Sequence, residues 1–146
     1  MIKINFVVRD KQIYNDQALQ ISIPTLDGEI TVLDGHIPLV TVVRSGELKI
    51  IDIKGQEHSY AITRGVVNVR NRSLNKEKEE VKEMETEVLL MCDDAIASDA
   101  IDIATEEVAI KRAEEVIKNG ESYQDISGLI SPLEKELNRI RIAKRR

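Results

Sequence analysis

The hydrophobic period changes once along this chain, and that change restricts its fold more than any other feature. Near the start, Ile2, Ile4, Phe6 and Val8 alternate with polar residues, and Leu19, Ile21 and Ile23 do the same. A repeat of two is that of a strand with one face buried. From Asp102 the spacing lengthens. Ile103, Ile110 and Ile117 recur at every seventh residue, with Ala113 between the last two. Ile126, Leu129, Ile130, Leu133, Leu137 and Ile140 then follow at threes and fours, the stripe of an amphipathic helix. A β part therefore precedes an α part.

Turn residues divide each part. Further β-rich runs are Glu29–Leu33, Leu39–Val43, Glu47–Ile53, Glu57–Ile62, Val66–Arg70 and Val88–Cys92, and Ser45-Gly46, Lys54-Gly55 and Arg64-Gly65 punctuate them. This pattern predicts an antiparallel β-sandwich of about ten short strands over residues 1–95. Residues 96–146 read as an antiparallel α-helical hairpin, because only a few residues link the two stripes. Asp102 is the expected N-cap of the first helix and Asn119-Gly120 its stop. Pro132 either kinks the second helix or marks the start of its long part. Residues 75–85 are nearly all charged, with Val81 and Met84 the only apolar side chains, and read as a solvated loop or short exposed helix inserted between strands.

No catalytic set assembles. The chain has no phosphate-binding Gly-rich loop and no Gly-x-Ser-x-Gly elbow. Its single cysteine, Cys92, lies in an apolar run followed by Asp93 and Asp94, whose charge raises a thiol pKa, so it reads as structural. His36 and His58 lie far apart without cysteines nearby, and no metal set is expected from them. Glu106/Glu107 and Glu114/Glu115 are sequence neighbours, which do not share a helix face, so they read as solvated residues. A net charge of −5 argues against nucleic acid, and no apolar run approaches the ~20 residues of a membrane span. The end of the chain departs from this acidic balance. Arg139, Arg141, Lys144, Arg145 and Arg146 form a basic cluster larger than helix capping needs, which points to an acidic protein partner. RNA is the competing reading, but aromatic residues are not interleaved with these bases.

One segment reads as a motif: Gly28-Glu29-Ile30-Thr31-Val32-Leu33-Asp34-Gly35-His36-Ile37-Pro38-Leu39-Val40-Thr41. Gly28 and Gly35 can end strands tightly, and Pro38 belongs at a strand start. The order resembles the epsilon subunit of F-type ATP synthases, whose motif runs Gly-Glu-(Ile/Phe)-Gly-Val-Leu-Pro-Gly-His-Ala-Pro-Leu-Leu-Thr. Thr31 and Asp34 replace a Gly and a Pro of that motif. Gly46-Glu47-Leu48-Lys49-Ile50, Arg64-Gly65-Val66-Val67-Asn68-Val69 and Lys111-Arg112-Ala113-Glu114-Glu115 are similar to later blocks of the same family.

The resemblance implies a noncatalytic rotor subunit without cofactors. Its partners would be the gamma subunit, the membrane c-ring and the catalytic alpha and beta subunits, at the cytoplasmic face of a bacterial membrane. Glu29, Asp34 and His36 would be docking contacts. In an extended hairpin, Arg139 to Arg146 would meet an acidic loop of the beta subunit and oppose ATP hydrolysis. Some family members bind ATP through Ile-Asp-x-x-Arg-Ala. Here Ile101 and Asp102 match, but Thr105 stands in place of the Arg and Glu106 beside it would repel a triphosphate, so ATP binding is not expected. The alternatives from other classes are a free-standing β-sandwich binding module and, more distantly, an enzyme.

Overall fold

A computed structural model of the chain describes residues 1–74, 83–118 and 123–145. These fall into two compact units, Met1–Ala95 and Ile96–Arg146. The first unit is built from β1 (Ile2–Val8), β2 (Lys11–Thr25), β3 (Gly28–Leu33), β4 (Leu39–Val43), β5 (Gly46–Asp52), β6 (Glu57–Ile62), β7 (Gly65–Leu74) and β8 (Glu83–Cys92), with a short β9 (Ala95–Ala97) at its boundary.

The long strand β2 organises the sandwich. Its first part pairs antiparallel with β1 through Lys11–Ala18, and its second part pairs with both β3 and β5. β1 continues to β8, β8 to β7 and β7 to β4, while β5 continues to β6. Two layers result, β1-β8-β7-β4 and β3-β2-β5-β6, joined along β2. The alternating residues of each strand fill the space between them. Ile2, Ile4 and Phe6 of β1, Leu48 and Ile50 of β5, and Val88 and Leu90 of β8 are fully buried. Phe6 meets the ring of Tyr60 edge-on at 5.6 Å between centroids. Ile21 and Ile23 are buried as their alternation predicts, but the register of β2 against β5 shifts between Ala18 and Gln20, which leaves Leu19 exposed and Ala18 buried in its place.

Three details differ from the sequence expectation. The β1–β8 pair is parallel, from Ile2 with Thr86 to Val8 with Cys92. Strands so far apart in sequence carry no turn signal that would reveal their direction. The strands are also longer than expected. β2 has 15 residues and begins in the polar stretch Lys11–Gln17, which pairing with β1 holds extended against its weak propensity. Glu83, Met84 and Glu85 belong to β8, opposite Leu74, Ser73 and Arg72, and not to a solvated loop or helix. Residues 75–82 of the charged run lie outside the described residues.

The second unit holds a 3₁₀ turn (Ser98–Ala100), α1 (Ile103–Lys118) and α2 (Tyr123–Lys144). Asp102 caps α1. Its Oδ1 accepts from the amides of Ala104 (3.1 Å) and Thr105 (3.5 Å), and its Oδ2 from the Thr105 hydroxyl (2.8 Å). These bonds, the Thr105 hydroxyl foremost, hold the Asp102 carboxyl below its ordinary range. The expected stop at Asn119-Gly120 lies outside the described residues. α2 runs through Pro132 without interruption, so the proline is interior to the helix and does not mark its start. The expected apolar stripe holds at Ile140 and fails at Leu137, while the side chains of Ile126, Leu129 and Ile130 lie outside those described. Leu137 is 51% exposed, whereas Asn138, Ile140, Ile142 and Ala143 are buried. Leu137 lies seven residues from Lys144 and shares its outward side, while the buried arc turns toward Arg139.

Candidate interaction sites

The corner after β3 is held by a short polar chain. Gly35 has φ +81°, which only glycine adopts freely and which turns the backbone inside one residue. Its amide donates to Thr86 Oγ1 (2.9 Å), the Thr86 hydroxyl donates to Asn71 Oδ1 (3.1 Å), and Asn71 Nδ2 donates to the His36 carbonyl (3.2 Å). The His36 amide closes the turn on Leu33 O at 3.1 Å. Thr86 is 1% exposed, so leaving these groups unpaired would cost about 1–3 kcal/mol. His36 Nδ1 donates to the carbonyl of Ile37 at 2.7 Å, which fixes the ring against the backbone. Asp34 faces solvent and takes the Met1 amino group at 3.0 Å, an exposed pair of small worth. Ile37 and Val40, beside the corner, are 73% and 67% exposed. Glu29 is at the other end of β3, about 17 Å along the strand, so it forms a separate site from Asp34 and His36.

A second feature, missed in the sequence, is the outer face of β4, β7, β8 and β1. The register lines up Val42 with Val66, Val66 with Met91 and Met91 with Val7. The next row of the same face is Val40, Asn68, Leu89 and Asn5. Val42, Val66 and Met91 are each exposed, and together with Val40 they make a contiguous apolar patch on a sheet face that ordinarily carries polar residues. Beyond these rows the face turns charged. Arg70 Nε meets Glu87 Oε2 at 2.7 Å and Lys3 lies opposite Glu87, and the Arg70 guanidinium holds the Glu87 carboxyl below its ordinary range. The sequence signal for this patch is apolar residues at both phases of β4, β7 and β8: Val42, Val66 and Met91 point out where Val43, Val67 and Leu90 point in.

The predicted basic end of α2 is engaged within its own hairpin. Arg139 Nη1 donates to Glu106 Oε1 at 3.1 Å, with side chains 15% and 9% exposed. Lys144 Nζ lies 3.7 Å from Glu107 Oε1 and Arg141 Nη2 donates to Asn138 Oδ1 at 2.9 Å. Arg146 lies outside the described residues. Glu106 is therefore not the solvated residue its sequence position implied: it is 7% exposed. Two helices crossing at this point enclose the one member of the Glu106/Glu107 pair that faces inward. Thr105, in place of the nucleotide motif's Arg, is committed to the Asp102 cap, and Ile101 is buried.

The remaining reactive groups are structural. Cys92 is buried, and burial, with Asp93 adding, pushes its thiol up to about 12. His58 Nε2 and Asp52 Oδ2 are 3.0 Å apart, and Asp52 Oδ1 accepts from the amides of Lys54 (2.8 Å) and Gln56 (2.9 Å), closing the β5–β6 turn.

Comparison with known proteins agrees with this architecture. The family model for the ATP synthase delta/epsilon chain beta-sandwich domain matches residues 1–75. The ATP synthase epsilon chain of Staphylococcus saprophyticus is 30% identical over 143 residues, covering 97% of this chain and 96% of that one. The epsilon chain of Clostridium kluyveri is 25% identical over 144 residues, covering 99% and 98%. Among solved structures, a chain of the Euglena gracilis mitochondrial ATP synthase (OSCP/F1/c-ring) superposes with a TM-score of 0.69 at 21% identity, covering 99% of this chain and 79% of that one. A chain of the Tetrahymena thermophila ATP synthase central stalk and c-ring gives 0.51 at 14%, covering 99% and 94%. Among the described residues no helix is long and apolar enough to cross a membrane. A family match over the sandwich, and relatives aligned through both units, lead to one conclusion: this chain belongs to the ATP synthase delta/epsilon chain family.

Proposed function

We propose that the chain is the noncatalytic epsilon subunit of a proton-translocating F-type ATP synthase. It sits in the central stalk on the cytoplasmic face of a bacterial membrane and couples ion flow to ATP synthesis elsewhere in the complex. The observation that carries this reading is the exposed apolar face Val40, Val42, Val66 and Met91 on a well-packed sandwich, which suits a permanent partner better than water. The gamma subunit is the partner assigned to that face. The corner of Asp34 and His36, with Glu29 as a second contact, is assigned to the c-ring. It is a pinned turn, and a rigid contact loses little entropy on docking. The helical hairpin is assigned a regulatory role in which the basic end of α2 meets an acidic surface of the catalytic subunits and opposes ATP hydrolysis. No nucleotide is assigned to it, because Thr105 stands where the nucleotide motif has its Arg and is committed to the Asp102 cap.

Reconstitution tests the docking. Val66→Asp places a charge at the centre of the face without touching the core. The variant is expected to keep its circular dichroism and to lose co-assembly with gamma by about a hundredfold, in line with the loss of an interface anchor. Normal co-assembly would overturn the proposal. Deleting residues 119–146 is expected to raise ATP hydrolysis by the assembled complex, and unchanged hydrolysis would remove the regulatory assignment.

A further inference from the structure

The hairpin buries a charge where a helical pair ordinarily buries an aliphatic side chain. Among the described side chains of α1, Glu106 alone is buried. It lies in the first turn of α1. Its partner, Arg139, lies in the last two turns of α2, in the middle of that helix's buried arc. A buried ion pair adds little net stability compared with an apolar pair of the same size, yet removing one partner leaves a costly unpaired charge. Such a pair therefore holds one arrangement by making its alternatives poor. Glu107 repeats the arrangement at the rim, 3.7 Å from Lys144, where solvent weakens it.

These same bases are the ones an acidic partner would use. In the closed hairpin Arg139, Arg141 and Lys144 already have polar partners within the unit. A carboxylate on another protein must displace Glu106 to reach Arg139. We propose that Glu106 is an internal competitor for Arg139 at the basic end of α2: it keeps the hairpin closed and masks Arg139 until an acidic surface takes its place, while Lys144 stays open to solvent. This rests on the reading of the preceding section that the basic end meets such a surface. Masking of this kind lowers apparent affinity by the fraction of chains that are open, so weakening the internal pair strengthens the external contact.

The full-length chain tests both halves of the proposal. Glu106→Gln keeps shape and removes charge. Amide hydrogen exchange of α1 and α2 in the free chain is expected to accelerate about tenfold, with the sandwich unchanged. In the reconstituted complex, half-inhibition of ATP hydrolysis is expected at a concentration about threefold lower or more. Glu114→Gln, at an exposed acid of α1, is expected to change neither. The charge-reversed pair Glu106→Arg with Arg139→Glu is expected to restore protection of the helices without any gain in inhibition. Exchange in Glu106→Gln equal to that in Glu114→Gln would overturn the proposal. So would a loosened hairpin that inhibits no better while the parent chain inhibits. A parent chain that does not inhibit at all would overturn the regulatory reading instead, and the exchange data would still decide whether Glu106 holds the hairpin.

Discussion

The sandwich and the hairpin are stabilised by different physics. The sandwich has a large apolar centre, with Ser22, Thr25 and Thr86 its buried polar residues. Sixteen buried residues form one cluster there, and thirteen of them are fully inaccessible. The hairpin, among its described side chains, buries Ile101, Ile140, Ile142 and Ala143 together with Ser98, Glu106 and Asn138. One region is thus held by area removed from water, which any change of volume disturbs. The other, among its described residues, adds a buried ion pair to a few apolar contacts, and such a pair can be exchanged for an equivalent contact elsewhere. The first property suits the docking role proposed for the sandwich and the second the regulatory role proposed for the hairpin.

The largest effect should come from the centre of the sandwich. Phe6→Ala removes a ring with no exposure from its contact with Tyr60 and should cost about 3–5 kcal/mol in denaturant unfolding. Gly65→Ala follows. A methyl group there would strike the Met91 carbonyl and come within 2.8 Å of Cys92 Cα, both backbone atoms of β8, so a loss of about 1–3 kcal/mol or more is expected. If either variant also loosened the hairpin amides in parallel, the contrast between the two regions would be weaker than described. Thr86→Val should cost about 1–3 kcal/mol by stranding the Gly35 amide and Asn71, and should show itself as faster exchange confined to the corner.

The smallest expected effect is a pH dependence at the β5–β6 turn. The hydrogen bond from His58, followed by that from the Gln56 amide, holds the Asp52 carboxyl below its ordinary range. A depressed folded-state pKa contributes stability in full above the ordinary aspartate value of about 3.9, and that contribution is lost as pH falls through the lower folded value. Asp52→Asn should therefore be less stable than the parent at neutral pH, with the gap narrowing in acid. A gap that widens in acid would contradict the assignment.

Much of this was legible in the residues. Alternation located β1, and β4 and β6 fall on the apolar runs residue for residue. Asp102 read correctly as a cap because capping is local chemistry. What escaped is what depends on distant partners. The parallel pairing of β1 with β8 joins segments that share no turn. The strand character of Lys11–Gln17 rests on its pairing with β1, since only Ile13 and Tyr14 of its residues favour a strand. Thr86 and Asn71 are unremarkable in sequence and become a clasp only once β7 and β8 bring them under Gly35. Glu106 looked like a surface acid because its burial is decided by a residue 33 positions away. The motif from Gly28 to Thr41 identified a corner, but the neighbouring apolar face emerged only from the register.

The sandwich and the hairpin are separate units of stability, one with a large apolar core and the other with the buried Glu106–Arg139 clasp at its described end. Residue-resolved amide exchange of the full-length chain under native conditions tests it most directly. The strands β1, β2, β7 and β8 should be protected to the level of global unfolding, with α1 and α2 exchanging about a hundredfold faster through an opening of their own. A single common protection level for strands and helices, unchanged by Glu106→Gln, would contradict it.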